Sequence, residues 1–167
     1  VRVTGILTDE GVQIVFVDTP GLLEPRYLLQ ASMLDAALGA LEDSDVVLLI
    51  LDATLPTETF PTGEVLDRLR EYGDSLLVAI NKIDAASAAD VDRLEARVRE
   101  ELGVEPYRIS AMSGSGVEEL RGALIESLPF SPFFFPEDEI AVQSLRFFVS
   151  ELIRETVFEE YHEEVPY

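Results

Sequence analysis

Asn81-Lys82-Ile83-Asp84 stands directly after the aliphatic run Leu76–Ile80. A carboxylate accepts two hydrogen bonds side by side, and guanine offers a matching pair of donors at N1 and N2, where adenine does not. Asp84 would therefore select a base, because a mismatched base leaves a buried charge unpaired. Lys82 can lay its aliphatic stem over a base plane while its ammonium stays solvated, and it is the only lysine among twelve basic residues. Asp18-Thr19-Pro20-Gly21 follows Val12–Val17 in the same way. A carboxylate at the C-terminal end of a parallel-sheet strand faces the crevice where such folds bind ligands. It can hold Mg²⁺ through water, since this hard ion keeps part of its hydration shell, and Gly21 lets a backbone N–H approach a phosphate with no Cβ in the way. Ser110-Ala111 follows Tyr107–Ile109, where small side chains permit a backbone N–H to reach guanine O6. D-x-x-G and Ser-Ala each describe many ordinary turns; N-K-x-D after an apolar strand is the more specific signal.

Strands must place these residues. The runs Val12–Val17, Val46–Leu51, Leu76–Ile80 and Tyr107–Ile109 alternate with longer amphipathic stretches, the pattern of βαβ units and a mainly parallel sheet. The middle two are almost unbroken aliphatic runs, as central strands covered on both faces require. Arg2–Leu7 and Val12–Val17 flank Thr8-Asp9-Glu10-Gly11 and read as a hairpin. Helical periodicity fits residues 27–42, 62–72, 88–102 and 117–128, with Gly103 as a C-cap and Val117, Leu120, Leu124 and Leu128 on one face. Residues 129–136 carry three prolines in eight positions, a stiff linker whose phenylalanines are expected to pack between two domains. A further helix follows, with Leu145, Phe148, Val149, Leu152, Ile153 and Thr156 as an apolar stripe.

Composition narrows the chemistry. The chain of 167 residues has no cysteine and a single histidine, which removes disulfides and thiolate chemistry and makes zinc or Ser-His-Asp catalysis a poor expectation. No apolar run approaches the ~20 residues of a membrane span, and the first residues do not resemble a signal peptide, so a cytoplasmic protein is expected. The net charge of −21 repels nucleic-acid phosphates unless the few basic groups are concentrated. Residues 129–167 hold nine acidic side chains against Arg146 and Arg154 alone. These two arginines are expected to partner nearby glutamates rather than to clamp RNA.

The three stretches, each after a strand and in this order, resemble the third, fourth and fifth nucleotide motifs of the translation-factor class of P-loop GTPases. Phe135-Pro136-Glu137-Asp138, Arg146-Phe147, Glu151-Leu152-Ile153-Arg154-Glu155 and Glu164-Val165-Pro166-Tyr167 are similar to the opening of the C-terminal KH domain of the Era family, bacterial GTPases that help to mature the small ribosomal subunit. The resemblance covers essentially the whole chain. It departs at Ala141-Val142, where the family has a polar pair. Leu22 follows Gly21 where Ras-like proteins place a water-orienting glutamine, so no catalytic residue is assigned.

The resemblance implies an α/β fold of P-loop NTPase type, a mainly parallel sheet with helices on both faces, lacking its first strand and P-loop. It implies a partial GTPase domain over residues 1–128, a linker over 129–136 and the start of a type II KH (α+β) domain over 137–167. Asp18, Thr19, Pro20 and Gly21 would lie on the phosphate and Mg²⁺ side, with Asp18 meeting the metal through water. Asn81, Lys82, Asp84, Ser110 and Ala111 would surround guanine. GTP and GDP would be the ligands, with small-subunit ribosomal RNA and the 30S subunit as partners through the KH portion. A peripheral association with the inner membrane is compatible with it, and DNA is not expected as a partner. No GxxxxGK[ST] string, whose amides cradle phosphates, occurs in the 167 residues. The chain therefore reads as a fragment that is inactive alone. Two rivals remain at this point: another translation-factor-class GTPase, and a non-catalytic G-like interaction domain.

Overall fold

The computed structural model describes residues 3–9, 11–19, 39, 41–142 and 145–161. They divide into two compact units, one of the described residues within 1–18 and 133–167 and the other of those within 19–132. The expected helix over residues 27–42 lies almost entirely outside the described residues; Leu41 and Glu42 at its end are helical.

In the larger unit, β3 (Val47–Asp52), β4 (Leu76–Asn81) and β5 (Tyr107–Arg108) form a parallel sheet in the order β3-β4-β5. The helices are α1 (Gly63–Glu71), α2 (Ala88–Leu102) and α3 (Val117–Ser127). Register aligns Val47, Leu49 and Leu51 with Leu76, Val78 and Ile80, and side chains two apart in a strand share a face. That face packs with Val65, Leu66 and Leu69 of α1 and Val91, Leu94 and Val98 of α2 into one core. On the opposite face Ala79 is buried, but Ile50 is 56% exposed. The architecture is the expected α/β arrangement of strands joined through helices.

Local signals explain the helix ends. The Ser87 hydroxyl caps α2 by accepting from the Asp90 N–H, and Gly103 closes it at φ 71°, a left-handed C-cap that favours glycine. Arg108 of β5 pairs with Asp92 and Glu95 of α2, and Arg99 pairs with Glu95 and Glu105. Arg108 above all holds the Glu95 carboxyl below the usual carboxylate range. This network fastens α2 to the strand that leads into Ser110.

The smaller unit contains the antiparallel hairpin of β1 (Val3–Asp9) and β2 (Val12–Asp18) and the helix α4 (Leu145–Tyr161). Gln13 of β2 grips the segment that follows the proline-rich stretch. Its Oε1 accepts from the N–H groups of Phe134 and Phe135 at 2.9 and 3.0 Å, and its Nε2 donates to the Phe135 carbonyl at 3.0 Å and to Thr8 Oγ1 at 3.1 Å. Farther along, the Ile6 N–H donates to the Ile140 carbonyl at 2.9 Å and Gly5 bridges Ala141. Phe130 and Phe134 of the proline-rich stretch are exposed, and the prolines leave the backbone there without regular structure. Phe148, Val149, Leu152 and Ile153 of α4 form the expected stripe and are exposed. No helix among the described residues is long and apolar enough to cross a membrane.

Candidate functional site

The parallel strands end at one edge of the sheet, and β4 delivers Asn81-Lys82-Ile83-Asp84 there. Asn81 is the junction. Its Oδ1 accepts the Lys82 N–H at 2.8 Å and the Ala111 N–H at 3.0 Å, so one side chain ties the turn after β4 to the loop after β5. Backbone bonds from Ile83 N to the Ile109 carbonyl and from Ile109 N to the Ile80 carbonyl hold the same two segments in register. Sequence-predicted residues 30 positions apart are thereby brought into direct contact.

Lys82 has φ 64°, the only non-glycine residue with positive φ among the described residues. Its carbonyl accepts from Ala85 and Ala86, closing the turn that presents Asp84. The Asp84 carboxylate is exposed and has no hydrogen-bond or ion-pair partner among the described residues, so both its oxygens are free to accept donors from a ligand. Ser110 is fully buried; its Oγ accepts from Ser113 N, its N–H donates to the Ser115 carbonyl, and its carbonyl accepts from Gly114. The loop thus satisfies these polar groups internally, two through its backbone and one through the Ser110 hydroxyl. The Ala111 N–H, expected to face guanine O6, here donates to Asn81, and a base at this place would share that donor.

Asp52 and Thr54, absent from the sequence-based expectations, belong to this site. The Lys82 ammonium lies 2.7 Å from Asp52 Oδ2. Thr54 donates to Asp52 Oδ1 through its N–H at 2.8 Å and its hydroxyl at 2.6 Å. The Lys82 ammonium first, and then the Thr54 hydroxyl, pull the Asp52 carboxyl from 3.8 down to about 2. The available sequence signal was an aspartate closing an aliphatic run, the same signal that singled out Asp18.

Asp18 closes β2 in the other unit, exposed, with Thr19 after it; β2 pairs with β1 in an antiparallel two-stranded sheet and not, as expected, in the parallel sheet, because among the described residues its ladder partner is the hairpin strand. Pro20 and Gly21 lie outside the described residues. No cluster of three or more acidic or histidine side chains suited to a metal occurs among the described residues. Asp18 alone would meet Mg²⁺ only through the ion's water shell.

Residues 7–130 match the family model of the elongation factor Tu GTP binding domain. GTPase Era of Agrobacterium fabrum is 35% identical over 98% of this chain and 51% of its own length, and GTPase Era of Carboxydothermus hydrogenoformans is 34% identical over 99% and 56%. The chain thus spans about half the length of the curated relatives it matches. Among solved structures, Aquifex aeolicus Era bound to GDP and AlF4⁻ superposes with a TM-score of 0.81 at 33% identity, covering 99% of this chain and 57% of that one. Era in complex with MgGDPNP and nucleotides 1506–1542 of 16S ribosomal RNA gives 0.76 at 32% identity, with the same coverage. The chain belongs to the family of the elongation factor Tu GTP-binding domain, and its likeness within that family is to the Era GTPases.

Proposed function

We propose that this chain is the greater part of an Era-type GTPase domain joined to the start of a KH domain, divided at residues 1–128, 129–136 and 137–167. The intact protein binds GTP with Mg²⁺ and hydrolyses it to GDP and phosphate. Nucleotide state then governs binding to small-subunit ribosomal RNA and supports maturation of the 30S subunit. The place of action is the cytoplasm, with peripheral contact to the inner membrane. The 167 residues contain no GxxxxGK[ST] string, so this chain alone is not expected to hydrolyse GTP.

The observation that carries this reading is the Asn81 side chain joined to both Lys82 and Ala111 beside the unpartnered Asp84 carboxylate. Asp84 would accept the guanine N1 and N2 donors, the Lys82 stem would cover one face of the base, and the loop from Ser110 would close its edge. Asp18 would hold Mg²⁺ through water, and that ion, when bound, supplies positive charge where negative charge gathers on the phosphates.

The test is base selection in the intact protein, by competition of guanine and xanthine nucleotides against a fluorescent GDP analogue. Asp84→Asn is expected to weaken GDP binding at least a hundredfold and to shift preference to xanthine nucleotides, whose C2 oxygen suits an amide donor. Unchanged GDP affinity in this variant would remove Asp84 as the base reader.

A further inference from the structure

We propose that Asp52 is a positioning residue of the guanine site, holding the Lys82 ammonium so that the lysine stem is laid out as a platform before the base arrives. This rests on the guanine-nucleotide reading and adds to it a residue outside the three motifs.

The placement follows from strand register. Asp52 closes β3 directly opposite Asn81 at the end of β4, so its side chain emerges at the sheet edge beside the next residue, Lys82. The two carboxylate oxygens have separate partners. Oδ1 is fixed by the Thr54 N–H and hydroxyl, and Oδ2 meets the Lys82 ammonium. The Leu55 N–H donates back to the Asp52 carbonyl, closing a turn in which the aspartate anchors its own backbone. Asp52 is therefore immobilised before it pairs. Its side chain is 23% exposed against 54% for Lys82, so the anchored partner is the more enclosed one and the lysine comes to it.

Lys82 is pinned at both ends. Its N–H is held by Asn81 Oδ1, its carbonyl by Ala85 and Ala86, and its ammonium by Asp52. A left-handed backbone is strained for an L-residue, and such conformations persist only where the surroundings over-determine them. A free lysine side chain also loses much rotamer freedom when a ligand fixes it. Pairing with Asp52 removes that loss from the binding step, which is how preorganisation raises affinity. An ammonium already matched by a carboxylate is a poor counter-ion for phosphate. Its paired state suits contact through the methylene stem.

The experiment is a double-mutant cycle on the intact protein, read by the affinity and dissociation rate of a fluorescent GDP analogue. Asp52→Asn keeps the shape and the acceptor for Thr54 but removes the charge that holds Lys82. It is expected to weaken GDP binding about tenfold, mainly through faster dissociation. In a Lys82→Met background the same change is expected to have no further effect, because the group it acts through is gone. Thr54→Val, which removes the hydroxyl donor to Oδ1 but keeps the backbone N–H and both charges, is expected to fall between wild type and Asp52→Asn. A purely structural Asp52 would lower the melting temperature without this dependence on Lys82. Unchanged GDP affinity in Asp52→Asn, or an equal loss with and without Lys82, would overturn the role of Asp52 while leaving the guanine site standing. A wild-type protein that binds no guanine nucleotide would overturn both.

Discussion

Gly116 stands so close to the Arg108 carbonyl that a Cβ built on it would lie 2.1 Å from that oxygen. The glycine also has φ 72° and precedes the first residue of α3, so the loop from Ser110 returns to its own strand at a point with no room for a side chain. Gly116→Ala combines left-handed strain with a clash against backbone, and the expected loss is about 2–5 kcal/mol. Gly114→Ala, at φ 79° with nothing within 4 Å of its Cβ, bears only the strain, about 1–2 kcal/mol. Urea denaturation of the two variants separates these costs. Equal stabilities would show that the loop relieves the contact by moving.

The second expectation concerns acid. The folded Asp52 carboxyl sits at about 2, below its ordinary 3.8. A depressed carboxylate contributes stability above the unfolded value and loses it as pH falls through the folded value. The Asp52–Lys82 pair should therefore stabilise the protein fully above about pH 5 and fade between about pH 4 and pH 2. Because Lys82 is largely exposed, its worth is about 1 kcal/mol or less. Asp52→Asn should be less stable than wild type by that amount at pH 6 and equal to it near pH 2, by chemical denaturation across pH. A gap that persists at pH 2 would assign the loss to packing.

Gln13→Leu should loosen the segment at Phe134 and Phe135. Four hydrogen bonds leave with the amide, and water replaces some of them, so the expected cost is about 1–3 kcal/mol. Hydrogen exchange at the Phe134 and Phe135 amides should quicken at least tenfold, with exchange in β4 unchanged. Unaltered protection at those amides would show that the segment is held by something other than Gln13.

What was legible in the sequence is what is encoded locally. The helix over residues 88–102 was expected with the limits it has; Gly103 signalled its end, and the structure adds the Ser87 hydroxyl as its N-cap. The aliphatic runs gave β3 and β4 to within a residue, but both strands extend one position further, to Asp52 and Asn81. Pairing carries them there, since the two residues oppose each other in the parallel ladder. The N-K-x-D and Ser-Ala motifs were readable because each follows its own strand. Asp52 was not, because its partnership with Lys82 depends on which strands are neighbours and in what register. Gln13 was equally hidden, since the amides it binds lie 121 and 122 positions away.

The rung between β1 and residues 140–141 also bears on how the protein behaves when crowded. Since the Ile6 N–H donates to Ile140, it points away from β2, on the open edge of a two-stranded ribbon. An open strand edge is a template for another chain. Leu7, Phe16 and Val17 on this ribbon are exposed, which adds stickiness to the template. Gln13 presents an amide that the passing backbone reads as it would a neighbouring strand, and so keeps residues 134–141 seated along the hairpin. Release of that segment would turn an intramolecular rung into a vacancy for a second molecule, and self-association would rise with protein concentration. Loss of the Gln13 amide would therefore be expected to expose that edge as well as to loosen the segment.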